Sequence, residues 1–315
     1  MVKRQAKVSK LLLYPLAVWG AIAVLAGCGS FRDAANIPNT NQQTRQAGSL
    51  ARGALLYVSD PGTDKVSVYS YPSLKLVQTI SGLIEPNGLC VNQKTGAIWV
   101  AVSGSASQIV EFAHGGTKPI RTLQAGEDDA VVNSCSVDPT SGDIAIANAA
   151  TDDPGDVVIF DARTGKSTTY FDKHIFSYEF VGYGASGNLF VDGSSRDERF
   201  RLDELPSHGK KLIDIPWQGP TIKSPGNVDF DGTDVTVGDS QKAFIYQTTG
   251  GKVLGTTALG GACFVNQYFI DGDRVIVPNS CSNGSTVSIY RYPAGGTPIK
   301  TISGFKFPFG TVISR

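Results

Sequence analysis

The chain is poor in several features that would each point to a particular chemistry. It has three histidines and one methionine in 315 residues. His114, His174 and His208 lie in separate segments, without metal-ligand spacing and without a nucleophile nearby in sequence. No G-x-S-x-G elbow, P-loop or dinucleotide fingerprint occurs. The glycines of "GYGASGN" (182–188) lead into a strand pattern, where a phosphate cradle would need a helix. The longest uncharged apolar run, Leu11 to Ala26, has 16 residues, too few for a comfortable membrane span. There is no excess of positive charge: 28 Lys and Arg balance 28 Asp and Glu. A nucleic-acid partner, which would want a basic face, is therefore not expected. What the chain has in quantity is glycine, 36 residues, which suits many turns and few helices.

The N-terminus carries an address. Lys3, Arg4, Lys7 and Lys10 precede the apolar run, the layout of a signal peptide with its positive head and hydrophobic stretch. The run ends in Leu25-Ala26-Gly27-Cys28, which resembles the bacterial lipobox. That resemblance implies cleavage before Cys28 and a diacylglycerol on its thiol, with palmitate-type acylation of the new N-terminus. About three acyl chains exceed the two signals that stable anchoring needs. The residue after the cysteine is Gly29 and not the Asp of inner-membrane retention, which argues for the outer membrane in a cell that has one. Residues 28–52 are rich in Asn, Gln, Thr, Ser and Ala and read as a lipidated cysteine followed by a flexible tether. Without residues 1–27 the chain keeps 24 basic against 28 acidic residues, net −4. The expected organisation is signal peptide 1–27, anchor and tether 28–52, and one folded domain 53–315.

That domain repeats one phrase. "LLYVSD" (55–60), "AIWVAV" (97–102), "DIAIAN" (143–148), "NLFVDG" (188–193), "DVTVGD" (234–239) and "RVIVPN" (274–279) begin 42, 46, 45, 46 and 40 residues apart. Each is an apolar, β-branched run closed by Gly, Asp or Asn, the pattern of a strand. A turn-led strand precedes each core and two more follow, so the unit has four antiparallel strands. Six such units predict an all-β, six-bladed propeller. Between Asp192 and Pro216 the alternation weakens, which predicts an enlarged loop among the outer strands of blade 4. The chain begins its first unit at the second strand and ends on an orphan first strand, "FPFGTVIS" (307–314). That last strand should complete blade 1 and close the ring.

The stretches "EPNGLCVNQKTGAIWVAVSG" and "SCSVDPTSGDIAIANAA" resemble NHL-type and gluconolactonase-like six-bladed propellers. With "GNLFVDG" and "YPAGGTPIKTI" they are also similar to uncharacterised bacterial lipoproteins built on that propeller. The resemblance implies the fold over residues 55–315. For a gluconolactonase it would also imply a divalent metal such as calcium, held by oxygen ligands where the innermost strands begin. The matching blade-one stretch "KFPFGTV" lacks the glutamate, and "PGN" at 225–227 is one position out of register. The other candidates at that mouth are Glu85, Asn87, Asn133, Tyr178, Glu179 and Asn227. Asn87, Asn133, Glu179 and Asn227 could hydrogen-bond a neutral or cationic ligand beside an aromatic surface at Tyr178, but none is an obvious nucleophile. The first expectation is thus a monomeric, lipid-anchored envelope module, without cofactor or catalysis, that binds an envelope protein, peptide or glycan through this mouth. The alternative is a metal-dependent lactonase-like or lyase-like enzyme in the same channel. "DFDGTD" (229–234) lacks the spacing of a calcium loop and reads as a hairpin turn; "EDD" (127–129) reads as a solvated loop.

Four cysteines remain beyond Cys28. Cys263 and Cys281 flank a hairpin; a three-residue loop Asp271–Asp273 with Ile270 opposite Arg274 places the two cysteines face to face, as a disulfide requires. Cys90 and Cys135 lie one register apart on the first strands of adjacent blades. They form a disulfide if those faces look at each other, and two buried free thiols if they look away.

Overall fold

The computed structural model describes residues 53–104, 107–125, 131–149 and 153–315. The stretches read above as signal peptide and tether, Cys28 among them, and "EDD" lie outside the described residues. The described chain forms six four-stranded antiparallel sheets with almost no helix, only a 3-10 turn at Pro61–Thr63. The sheets are the blades of a propeller. The first consists, from the axis outward, of Thr311–Ser314, Leu55–Asp60, Lys65–Ser70 and Leu76–Ser81. The closing strand comes from the C-terminus, with Leu55 opposite Ser314 and Val58 opposite Thr311. The next five blades follow in chain order, and their innermost strands are Pro86–Val91, Val131–Val137, Ser177–Tyr183, Pro225–Phe230 and Phe269–Asp271.

The repeated phrase is the second strand of each blade, and burial on both faces explains its composition. Leu55–Asp60 is buried at every position. Because side chains alternate between faces, Leu55 and Tyr57 pack with Leu89, Ile98 and Val100 of blade 2, while Leu56 and Val58 pack with Ile276, Val287 and Ile289 of blade 6. An apolar cluster of this kind fills each gap between neighbouring blades. A single sheet could not cover either of its apolar faces alone.

The innermost strands converge at the axis, and glycine lets them do so. A Cβ on Gly88 would stand 2.5 Å from Ser134 Cα of the next blade. One on Gly310 would stand 2.8 Å from Gln267 Oε1.

Blade 4 carries the expected irregularity. Its outer strand is only Ile213–Asp214, and the segment beyond it runs toward blade 5, where Gln218 N–H donates to Gly251 O at 2.8 Å. Trp217 is wedged there between Phe200 and Tyr246, with centroids 5.2 and 5.9 Å away.

Both disulfides form. Cys90–Cys135 joins the innermost strands of blades 2 and 3 with Cα atoms 5.5 Å apart, so the two faces do look at each other. Cys263–Cys281 has Cα atoms 5.3 Å apart, but the hairpin beneath it differs from expectation. Asp271, not Ile270, faces Arg274, leaving the two-residue turn Gly272-Asp273, which Gly272 permits with φ at 61°. The one-residue slip is taken back in the irregular stretch before Phe269. There Val265 pairs with Asn279, the register that puts Cys263 across from Cys281.

Candidate functional site

Each innermost strand begins at one end of the axis, here called the upper end, and runs to the lower end, where all but the closing strand turn back in a hairpin. Side chains from opposite blades meet between the two. Phe180 of blade 4 stacks on Phe309 at the start of the closing strand, with centroids 6.2 Å apart and planes 20° apart. Gln267 crosses beneath them. Its Oε1 accepts Leu89 N–H at 2.6 Å, and its Nε2 donates to Cys135 O at 3.3 Å. The channel is thereby divided into an upper and a lower cavity, and no residue lines both.

The upper cavity, about 320 Å³, is lined by Asn133, Glu179, Phe180, Lys223, Asn266 and Phe309 among others. Glu179 is its acceptor. Asn133 Nδ2 donates to Glu179 Oε2 at 2.6 Å and Ser177 Oγ to Oε1 at 2.8 Å. Burial pushes the Glu179 carboxyl above the usual range, against the pull of those two bonds. Asp192 lies deeper, accepting Phe180 N–H at 3.0 Å. Burial and then the Glu179 charge push Asp192 well up, so the two acids do not ionise freely together. Asn266 is the donor: it is 4% exposed, and its buried Nδ2 has no protein partner.

Of the residues singled out from sequence, Asn133 and Glu179 therefore share one cavity. Asn87 is half-buried; its Nδ2 donates to Ser103 Oγ at 2.8 Å and Val132 O at 3.2 Å, and its backbone O accepts from Ser59 Oγ at 2.5 Å, so it ties three blades together. Tyr178 is not an aromatic surface at the mouth. It is fully buried among the apolar side chains between blades 3 and 4, its hydroxyl against Asp172 N at 2.5 Å. The strand is irregular between Tyr178 and Val181: Glu179 and Phe180 both reach the channel there, while Tyr178 turns into the gap between the blades. Asn227 belongs to the lower cavity. Glu85 is exposed. His114 bonds Ser314 Oγ at 2.6 Å and Gly53 O at 3.0 Å, and His174 and His208 are exposed on loops. Among the described residues, no three His, Cys, Asp or Glu side chains stand together as a metal site. Sequence reading missed Asn266, Gln267 and Phe309, which sit on irregular connections into the axis.

The lower cavity, about 460 Å³, opens among the hairpins that follow the innermost strands. "DFDGTD" is such a hairpin, with Phe230 opposite Val235. Asp229 Oδ1 accepts Phe230 N–H at 2.9 Å, and Oδ2 accepts Ile270 N–H at 3.3 Å. Burial pushes the Asp229 carboxyl up to about 7, against those bonds. Burial also opposes ionisation of Asp231, but the hydrogen bonds it accepts from Asp234, Tyr292, Gln247 and Thr233 hold it below the usual carboxylate range.

A fourth raised acid, Asp203, is fully buried in blade 4 with neither oxygen partnered. Burial first, then the Asp172 and Asp214 charges, push it up to about 7, with Arg201 opposing. The folded state thus holds a proton there between pH ~4 and ~7 that the unfolded chain has released, and stability falls as pH rises through that window. Asp203→Asn should flatten this slope and stabilise the domain at pH 8 by on the order of a few kcal/mol. Urea unfolding at several pH values reads the effect; an equal slope in the variant would remove Asp203 as its source.

No protein-family model matches the chain, and no curated protein matches it. Solved structures do. One, from the crystal structure of a nidogen/laminin complex, superposes with a TM-score of 0.67 at 13% identity, covering 84% of this chain and 99% of that one. A second, a protein of unknown function from Bacteroides caccae, gives a TM-score of 0.64 at 14% identity over the same shares. Identities this low speak for fold alone, and the fold they share with this chain is the six-bladed β-propeller.

Proposed function

We propose that the protein is a lipid-anchored binding module of the bacterial cell envelope, non-catalytic and monomeric, that holds an envelope peptide, protein loop or glycan in its upper cavity. The observation that carries this reading is that a fixed acceptor, Glu179, and an unpartnered buried donor, Asn266 Nδ2, line the same cavity from different blades. Buried polar groups without partners are rare, and a ligand with both a carbonyl or hydroxyl acceptor and a donor completes this pair. Phe309 and Phe180 add apolar surface beside them. A propeller of like fold occurs in a nidogen/laminin complex, which is a protein assembly. The lipobox-like "LAGC" and the likeness to NHL-type and lipoprotein propellers support the anchor and the setting.

The test is capture from envelope extracts separated into glycan and peptide fractions. Glu179→Gln and Asn266→Ala should each weaken capture about tenfold while melting remains normal. Calcium-dependent lactone hydrolysis that disappears in Glu179→Gln would establish the enzymatic reading instead. In the same cells, Cys28→Ser should leave the membrane fraction or stay unprocessed. Unchanged processing and membrane retention would remove the anchor from the proposal.

A further inference from the structure

The lower cavity is built differently from the upper one. Asn227 stands in its wall, 3% exposed. Its amide orientation is set, because Nδ2 donates to Tyr268 O at 2.8 Å while the Tyr268 hydroxyl donates back to Asn227 O at 3.0 Å. Oδ1 is therefore left as a fixed acceptor, buried, with no protein donor. Asp229 and Asp231 stand in the same wall, and among the described residues no Lys, Arg or His lines the cavity. The Asp229 oxygens accept one backbone N–H each, which leaves lone pairs free.

We infer that the lower cavity is a second binding site, distinct from the upper one, and that it takes a primary alkylammonium group. The ammonium supplies N–H donors to Asn227 Oδ1 and Asp229 and positive charge to the two carboxylates. Its carbon chain lies against Leu89, Val91, Val137 and Val181, which form the apolar side of the same cavity. The volume falls within the range of small-ligand sites. A bare divalent cation fits less well. Such ions want six or more oxygens, and Asp231 already accepts four hydrogen bonds, from Thr233, Asp234, Gln247 and Tyr292. An anion meets two acids and no cation.

Isothermal titration of the full chain, held in detergent, tests this with four probes sharing a butyl chain. n-Butylammonium should bind one to one with a dissociation constant of about 1 mM or tighter. n-Butanol and butyrate should bind at least about tenfold more weakly, and so should butyltrimethylammonium, which has the charge but no N–H donor. Asn227→Leu and Asp229→Asn should each weaken n-butylammonium about tenfold. If Asn227→Leu fails to fold, Asp229→Asn and the probe series decide the matter. The inference is overturned if butanol or butyltrimethylammonium binds as well as n-butylammonium, if n-butylammonium does not bind, or if folded variants bind it as the parent does.

Discussion

Deletion of residues 305–315 is expected to abolish cooperative unfolding altogether. The lost segment includes the innermost strand of blade 1, all four residues of which are buried. Val312 fills the gap toward blade 2 and Ile313 the gap toward blade 6, so both flanking cores open at once. Each aliphatic side chain contributes about 1.5–3 kcal/mol through burial. The strand also holds polar groups that nothing else would satisfy. Ser59 N–H donates to Gly310 O at 3.0 Å, and Gln267 O accepts Thr311 N–H at 3.1 Å. Its removal uncovers the whole inner edge of Leu55–Asp60. Against a total stability of about 5–15 kcal/mol, those losses exceed what a domain can give up. Val312→Ala, by contrast, should cost about 2 kcal/mol and leave one sharp transition. Calorimetry distinguishes the two. A truncated chain that melts as a single peak near the parent temperature would mean the ring does not depend on its closing strand.

The second large effect concerns the disulfides, and here the two bonds should differ. Cys90–Cys135 spans a sequence separation of 45 and Cys263–Cys281 one of 18. Loop-closure entropy then gives about 4 kcal/mol for the first and about 3 kcal/mol for the second. Replacing Cys90 and Cys135 together by Ala should lower the melting temperature by about 10 °C, and the other pair by somewhat less. Environment widens the gap, because Cys90 and Cys135 are buried in the core between blades 2 and 3, whereas Cys263 is exposed. Melting of the two double variants beside the parent checks the order. A larger loss from the Cys263–Cys281 pair would show that local strapping of blade 6 outweighs loop length.

The architecture was legible wherever both faces of a strand are buried. "LLYVSD" and "RVIVPN" are the strands Leu55–Asp60 and Arg274–Asn279 to the residue, and the four phrases between them begin within one residue of a strand. Such strands advertise themselves because nearly every side chain must be apolar. Closure was legible too, since an orphan first strand has one place to go. The axis was harder. Tyr178 sits where the strand register shifts between Tyr178 and Val181, so the adjacent Glu179 and Phe180 both reach the channel and simple alternation does not place the Tyr178 ring. Gln267 and Asn266 carry no comparable signal. They lie where blade 6 has only a three-residue inner strand, and the role of Gln267 depends on partners more than 100 residues away, Leu89 and Cys135. The Gly272-Asp273 turn shows a different failure: a turn misjudged by one residue, offset by a second irregularity, still delivered the right cysteine pair.

The pairing of Leu55 with Ser314 also gives the molecule a polarity. Both residues sit at the lower end, where the innermost strands finish; Gly53, the first described residue, is held there by His114, which also grips Ser314. The polypeptide therefore comes into the ring and leaves it on one side. The lower cavity opens at this same end of the axis, and the upper cavity at the other. Glu179 and Asn266 therefore lie toward the face opposite to Gly53 and Ser314, and Asn227 toward the face those two residues share.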